Sequence, residues 1–533
     1  MLSYRKLAMR VLGRPLHTGG IDSPRPASQR AAAFILTAAM LTTLAAPAFA
    51  DIWHIENGDI TISAGESGNN VTQNNNTTYG DTNTIITNQN KDTASSHTVT
   101  IEAKDKDDKV EVTLKDVNID TSSRNKAAVS VTGEGDTNIK LDGDNALKSD
   151  IYRSGIYGSG SLTISGGEND SLTAQGGSGA NGISSSGSLT ISGGTVTANG
   201  DDGGRGISSS GSVTISGGST VTANGGSGTI SGGDGICSSG GVTISGGSTV
   251  TANGGNGGSL VGGDGIRSDG GVTISGGTVK AAGGDSKDGY GGDGIRSGGG
   301  VTISGNTVNA AGGNGGKVGG YGICSFDRVA ISGGTVEAAG GNGSTGGGSG
   351  IYSSVIDLSG SLELTAKAGS PNGKALSQKG SELVLDTIKD KLGPGAKVTA
   401  TDADGKVIDQ VSTPRPVEPE ESSSSSDGGS AAPSAPASPL PGLTVTDKDG
   451  QRISYTSTQS GNTLTVCVGR LTASFRISLA ALRQLRAEGI ETIAFQTVLC
   501  STTLSVDELL AMGGENAEAV LTHRFTDSSL TVG

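Results

Sequence analysis

The chain has 533 residues, of which 32% are hydrophobic and only 3% aromatic, and its formal net charge is −14. Glycine fills 93 positions, more than double its usual share of about 7%. Scarce aromatic residues argue against a large enzyme core, and collagen is excluded because glycine does not recur at every third residue. A flexible glycine-serine chain is the remaining alternative, and a fixed spacing of apolar residues would argue against it.

The first 50 residues predict a secretory signal peptide. Six basic residues accompany a single acidic one, Asp22, and an apolar run over 31–46 leads to Ala48-Phe49-Ala50, a small-x-small cleavage pattern. A transmembrane anchor is the alternative, but the run is short for a span and Pro47 lies at its end. We therefore expect a secreted protein that is not inserted in a membrane after cleavage.

The chain beyond residue 50 is strongly acidic. It contains 32 basic and 51 acidic residues, so its net charge is about −19. Nucleic acid and anionic lipid both need a cationic face on their protein partner, so neither is expected as a partner. An acidic polymer would need a bridging cation or a local basic patch.

Three short motifs recur in a fixed order: Gly-Ile, then Leu/Val-Thr-Ile-Ser-Gly, then Thr-Val-x-Ala. In the seven repeats that contain both, the isoleucine of the second motif lies eight residues after that of the first, and the large length differences fall only after the third motif. A disordered chain would not hold one spacing constant. The Gly-Ile isoleucines are Ile156, Ile183, Ile207, Ile236, Ile266, Ile295, Ile323 and Ile351.

This repeat predicts an all-β solenoid, a parallel β-helix with three short strands in each coil. Each motif alternates apolar and polar residues as a strand does, and glycine pairs between the motifs are typical of turns that need positive φ. A β-propeller is the alternative, but it needs longer strands and more aromatic residues. We expect divergent coils and a cap over 51–150, then the glycine-rich coils and a C-terminal cap over 151–411, with a short helix near 383–392.

Two further segments follow the repeats. Residues 412–441 are rich in Pro, Ser and Ala, which predicts a linker. Residues 442–533 predict a small α+β domain, with strands at 464–468 and 492–498 and helices at 479–488 and 506–512. We regard this domain as a candidate for contacts with other cell-surface proteins.

Two segments resemble a known family. One is 187–201, which begins Gly187-Ser188-Leu189-Thr190-Ile191, and the other is 112–119. Both resemble the secreted carbohydrate-binding β-helix family of bacterial surface proteins, and the resemblance covers about 51–400. It implies a right-handed parallel β-helix, calcium ions on the coil surface, and binding of plant-type or acidic polysaccharide. The domain at 442–533 is outside it.

Most of the candidate site residues come from two positions in each repeat: the outward-facing position after the Gly-Ile isoleucine, and the position two before it. Two positions before the Gly-Ile isoleucine, successive coils carry aspartates that could share a calcium ion; turn capping beside neighbouring arginines is the alternative. Arginines and tyrosines near the same face are candidates for sugar binding, because aromatic rings can stack on sugars. The calcium candidates are Asp234, Asp264 and Asp293. The carbohydrate candidates are Tyr157, Arg267, Tyr290, Arg296, Tyr321 and Tyr352.

Little in the repeats favours catalysis. The four histidines lie at 17, 54, 97 and 523, outside the repeat block, so histidine-based triads and metal sites cannot form there. A polysaccharide lyase could use Asp264, Asp293, Arg267 and Arg296, but the coils are alike and catalysis needs one exceptional coil. In the last domain, Cys467 and Cys500 are candidates for a disulfide, with free thiols as the alternative.

These observations together predict a secreted, non-catalytic β-helix protein that binds carbohydrate at the bacterial cell surface, with calcium as a candidate cofactor. The alternatives are an adhesin or structural spacer that presents the domain at 442–533, and a lyase of the β-helix type.

Overall fold

The computed structural model describes residues 51–414, 442–447, 451–453, 455–460, 462–468, 472–497, 501–512, 517–523 and 528–532. The chain divides into two compact units, Met1–Pro416 and Val417–Gly533. The predicted signal peptide and most of the predicted linker lie outside the described residues. No helix in the described part is long and apolar enough to cross a membrane.

The first unit is a solenoid of about 13 turns, which confirms the predicted all-β parallel β-helix. Each of the three motifs forms one strand of the coil, and each strand pairs in parallel and in register with its counterpart in the next coil. The result is three ladders, here called first, second and third after the order of the motifs. Isoleucine, valine and alanine stack inward in all three and are almost wholly buried.

The strands of each ladder are short. The first ladder contains Ile60–Gly65, Val99–Glu102, Val129–Thr132, Ile156–Gly158, Ile183–Ser185, Ile207–Ser209, Ile236–Ser238, Ile266–Ser268, Ile295–Ser297 and Leu376–Gln378. The second contains Ile52–His54, Thr84–Thr87, Lys109–Lys115, Asp136–Asp142, Ser161–Ser165, Leu189–Ser192, Val213–Ser216, Val242–Ser245, Val272–Ser275 and Val301–Ile303. Two longer strands, Ile323–Ile331 and Ile351–Leu358, join both ladders. The third contains Asn118–Asp120, Asp144–Lys148, Ser171–Ser178, Thr195–Asp201, Thr220–Asn224, Thr249–Asn253, Thr278–Ala282, Asn306–Ala311, Gly334–Ala339, Leu362–Lys367 and Lys397–Thr401.

Antiparallel hairpins close both ends of the solenoid. At the start, Ile60–Gly65 pairs with Gly68–Gln73, which pairs in turn with Asn76–Asp81. At the end, Lys397–Thr401 pairs with Val407–Ser412, and Ser381–Glu382 folds back on the first ladder. The predicted capping helix is a 3-10 helix, Leu385–Lys391, and another such turn spans Ile55–Asn57. These caps cover strand edges that would otherwise invite aggregation.

Glycine has two separate roles in the coils. Between the second and third strands most of the glycines adopt positive φ, as at Gly217 (68°) and Gly218 (71°), which matches the predicted turns. The variable segments at 225–233, 254–263, 283–292, 312–320 and 340–348 differ: their paired glycines lie outside the left-handed region. We call these five stacked segments the glycine lobes.

The glycine lobes are held by close backbone packing. Within one lobe, Gly263 N donates to Gly255 O at 2.8 Å. Bonds of the same length join this lobe to its neighbours, from Gly255 N to Gly233 O and from Gly284 N to Gly263 O. A Cβ on Gly263 would lie only 1.9 Å from the carbonyl oxygen of Gly233. Glycine is therefore required here by the close approach of backbones, which the turn interpretation did not anticipate.

The second unit has an α+β fold, as predicted. One sheet contains Leu443–Thr446, Ala473–Ser478, Glu518–His523 and Ser528–Val532, and the other contains Thr456–Ser460, Thr463–Cys467, Thr492–Gln496 and Ser501–Ser505. The helices are Leu479–Ala487 and Val506–Met512, and Phe475 and Phe495 lie in a core of this unit's own.

The glycine lobes give a test of this packing. We expect Gly263→Ala to lower the free energy of unfolding by about 1–3 kcal/mol or more, because the added methyl group meets backbone and cannot be accommodated by a rotamer change. Gly346→Ala is the matched control, since a Cβ there would meet only the Val318 side chain at 3.8 Å. Urea denaturation followed by circular dichroism measures both, and equal midpoints would contradict the close-packing argument.

Candidate functional site

One outward-facing column distinguishes the first ladder from the second. It occupies the position after each Gly-Ile isoleucine and pairs in register through Tyr157, Ser184, Ser208, Cys237, Arg267, Arg296, Cys324 and Tyr352. The corresponding column of the second ladder is threonine in six successive coils: Thr163, Thr190, Thr214, Thr243, Thr273 and Thr302. The outward side chains of the first ladder thus differ from coil to coil, whereas those of the second ladder do not.

Beside this face stands a column of three aspartates, which we call the Asp column: Asp234, Asp264 and Asp293. Each is 4–6% exposed. Asp264 N donates to Asp234 Oδ1 at 2.9 Å, Asp293 N to Asp264 Oδ1 at 2.7 Å, and Tyr321 N to Asp293 Oδ1 at 2.7 Å. Each carboxyl group therefore binds the backbone of the following coil, and the side chains help to hold the coils in register.

Arginines neutralise the two ends of the Asp column. Arg205 Nε lies 3.2 Å from Asp234 Oδ2, and Arg296 Nη1 lies 3.2 Å from Asp293 Oδ2. Arg267, in the middle coil, is exposed and makes no ion pair with any described residue. The centre of the face therefore presents an unpaired guanidinium group to solvent.

Burial and like charge act together on the middle of the Asp column. Burial, then the carboxylates of Asp293 and Asp234, raise the pKa of Asp264 to about 8. Burial also raises the pKa of Asp293, although Arg296 opposes that shift. Three adjacent carboxylates cannot all be ionised cheaply in a buried column, so this environment favours the protonated form of Asp264.

The structure does not arrange these aspartates as a recognisable metal-binding group. Among the described residues, no group of three or more His, Cys, Asp or Glu side chains is placed to hold a metal ion. Calcium at Asp234, Asp264 and Asp293 accordingly stays a prediction.

The two cysteines of the outward column are buried rather than open to solvent. Cys237 is 9% exposed and Cys324 only 1%. Burial is the main cause that raises the pKa of the Cys237 thiol to about 11 and that of Cys324 to about 12. Neither thiol is therefore activated as a nucleophile.

Most of the predicted sugar-binding residues meet in one groove. The groove has a volume of about 820 Å³ and lies between the first-ladder face and the glycine lobes, whose Val261 and Val318 form part of its wall. We call it the C-terminal groove. Its side chains include Arg205, Asp234, Asp264, Arg267, Tyr290, Asp293, Arg296 and Tyr321.

Aromatic rings lie in and beside the C-terminal groove. The rings of Tyr321 and Tyr352 stack with centroids 4.9 Å apart and an interplanar angle of 20°. Tyr290 projects from a glycine lobe and is 51% exposed. The Arg296 guanidinium carbon lies 5.4 Å from the centroid of Phe326, a residue that lies outside the three motifs and was not predicted.

Tyr157 does not join this set. It lies on the same face but in a second groove of about 630 Å³, which we call the N-terminal groove. Its lining includes Thr98, Thr100, Asn125, Lys126, Ser130, Thr132, Tyr152, Arg153, Tyr157 and Ser184. The predicted sugar-binding set is thus divided: Tyr157 lines the N-terminal groove, four residues line the C-terminal groove, and Tyr352 stacks beside the latter. The sequence pattern missed Tyr152 and Arg153 because they lie outside the positions that recur in each repeat.

In the second unit, Cys467 and Cys500 are candidates for a disulfide, with free thiols as the alternative. The Sγ of Cys467 donates a hydrogen bond to Gln496 Oε1 at 3.1 Å. Cys500 lies outside the described residues, so the pairing stays a prediction.

Comparisons of the chain with family models, with curated proteins and with solved structures find no match.

The Asp column predicts a pH-dependent stability. Folding raises the pKa of Asp264, so the protonated side chain favours the folded state. This contribution to the free energy of unfolding is fully present below about pH 4, the ordinary pKa of an aspartate, and is lost as the pH rises through about 8. We expect the melting temperature to fall between pH 5 and pH 9, and Asp264→Asn to flatten that fall. Asparagine suits the position, since Asn181 Oδ1 accepts the same bond from Arg205 N.

Asp285→Asn is the control. Asp285 Oδ1 accepts from Asn314 N at 2.6 Å in a similar column on the glycine lobes, but it is exposed and its neighbours in that column are the neutral Asn256 and Asn314. Thermal unfolding at several pH values compares the variants. Identical pH profiles for Asp264→Asn and the parent protein would refute the proton-holding column.

Proposed function

We propose that this protein is a secreted, non-catalytic polysaccharide-binding solenoid of a bacterial cell surface, and that a linear polymer lies along the C-terminal groove. One observation carries the proposal: the groove crosses successive coils, so side chains at equivalent positions follow one another along a line at about the 4.8 Å strand spacing. A site with a linear repeat suits a ligand with a linear repeat.

The charges of the groove favour an acidic polymer. Arg267 is unpaired, and a guanidinium group can bind a carboxylate through two parallel hydrogen bonds. Arg205 and Arg296 lie on either side, with their charges offset by Asp234 and Asp293. Burial and the neighbouring carboxylates raise the pKa of Asp264 and favour its neutral form, so the three arginines outweigh the remaining carboxylates and the groove is locally positive within an otherwise acidic protein.

The aromatic residues supply the second part of the recognition. Tyr290 offers a half-exposed ring from the lobe wall, and the stacked Tyr321 and Tyr352 present a broader aromatic surface at the end of the groove. Such rings can pack on the apolar faces of sugars while their hydroxyl groups hydrogen-bond to sugar oxygens.

A binding role fits the groove better than a lyase does. Asp264 and Asp293 each use one carboxyl oxygen to accept a backbone hydrogen bond, so they are committed to joining coils. Arg267 and Arg296 occupy equivalent positions in adjacent coils, without the single exceptional coil that catalysis requires. The other alternative is a spacer that presents the second unit. That role would not require a groove, so it does not account for the one described.

Affinity electrophoresis tests the proposal with the whole chain in gels that contain pectic or cellulosic polymers, with and without calcium. We expect retardation by a pectic polymer and a roughly tenfold weaker affinity for Arg267→Gln, because the variant loses a charge-assisted hydrogen bond. Lys280→Gln is the matched control: it removes one exposed positive charge from the same coil but on the third ladder.

The alternatives give different results in the same experiment. No retardation in any gel would overturn the binding proposal and leave the spacer. Release of unsaturated products from the pectic polymer would establish a lyase. Retardation that requires calcium would support the calcium prediction, and retardation in its absence would remove it.

A further inference from the structure

Tyr152 has an unusual backbone conformation for a large side chain. It lies four residues before the core isoleucine of its coil, and the equivalent residues of neighbouring coils are Asn125, Gly179 and Gly203. All four adopt positive φ, with values of 53°, 59°, 75° and 82° for Asn125, Tyr152, Gly179 and Gly203. Glycine and asparagine tolerate this region, whereas a residue such as tyrosine does so at a cost in free energy.

Burial does not repay that cost. Tyr152 is 78% exposed, so its ring gains little from being removed from water. The ring lies against the turn of the next coil, where a Cβ on Gly179 would stand 3.0 Å from Tyr152 Cδ1 and Cε1. A strained residue that adds little packing is more typical of a binding site than of a structural position.

The exposed ring borders the N-terminal groove. The floor of this groove is the upstream continuation of the outward column, with Thr100, Ser130, Tyr157 and Ser184 in register. Its volume of about 630 Å³ falls within the usual range of about 300–1,000 Å³ for small-molecule sites.

We propose that Tyr152 is the stacking platform of a separate sugar subsite in the N-terminal groove, which takes one pyranose ring of an oligosaccharide. The inference rests on the proposed carbohydrate function, but it concerns a different groove and different residues. Tyr157, 43% exposed on the floor, provides a second ring for the same ligand.

The lining selects a sugar over an apolar ligand. Hydroxyl groups dominate the floor, and each can both donate and accept a hydrogen bond, as the hydroxyl groups of a sugar do. Ala127 is only 8% exposed, and no Val, Leu, Ile or Met side chain is among the lining residues, so a lipid chain would meet little aliphatic surface.

Arg153 supplies the polar contact beside the ring. Its Nε and Nη2 each lie 3.4 Å from Asn125 Oδ1, and it makes no ion pair with any described residue. Lys126, by contrast, is paired with Asp59 at 3.0 Å. Arg153 is therefore available to donate to the oxygens of a sugar stacked on Tyr152.

Substitutions at Tyr152 separate a binding role from a structural one. We expect Tyr152→Asn to weaken the binding of short oligogalacturonides or cello-oligosaccharides at least tenfold by isothermal titration calorimetry, while the melting temperature stays equal or rises, because asparagine relieves the strain. Tyr152→Phe should retain most of the binding. Tyr79→Asn is the control, since Tyr79 is 77% exposed on the N-terminal hairpin away from the groove.

Each result decides the matter. Unchanged binding of Tyr152→Asn would overturn the subsite, and if Arg267→Gln still weakens binding, the proposed function survives. A melting temperature several degrees lower for Tyr152→Asn would also overturn it, because the tyrosine would then be structural. Absence of binding by the parent protein to both sugars and to the polymer gels would instead remove the proposed function itself.

Discussion

The fold depends on backbone hydrogen bonds that run from coil to coil at a single strand spacing. Because every coil must place the same three strands over those of the coil before it, the inward side chains stack identical residue on identical residue, as Ile236, Ile266 and Ile295 do. Each coil contacts only its neighbours, so a narrow apolar stripe is enough to stabilise it. This explains how a chain with so few aromatic residues forms an extended ordered unit.

The same constraint explains which parts of the fold could be predicted. The constant eight-residue spacing between two isoleucines is a direct consequence of in-register stacking, so the strands and their order follow from it. The conformation of the glycine lobes was harder to predict, because a Gly-Gly pair can serve either of two structural purposes and the sequence does not distinguish them. Gly217 and Gly218 need positive φ, whereas Gly262 and Gly263 need space for a neighbouring carbonyl group, and only three-dimensional packing distinguishes them.

The candidate site was predictable in composition but not in arrangement. Register brings Asp234, Asp264 and Asp293 together, as their position in the repeat indicated, yet their carboxyl groups accept backbone hydrogen bonds from the next coil. Tyr157 and Tyr290 looked equivalent as exposed tyrosines, but they belong to different grooves because only the later coils have lobes. Tyr152 is outside every motif, and its backbone strain has no counterpart in the sequence pattern.

Length variation and chemical variation meet on one face of the solenoid. Insertions are tolerated only where they leave the three ladders undisturbed, between the third strand of one coil and the first strand of the next. The inserted lobes therefore stand beside the first ladder and turn its outward face into the floor of a groove, while the threonine column of the second ladder stays uniform. Because the repeat fixes the inward side chains and the strands, binding specificity can reside only in residues that differ from coil to coil. Both grooves are lined by such residues: Arg267, Arg296 and Tyr290 in the C-terminal groove, and Tyr152, Arg153 and Tyr157 in the N-terminal groove.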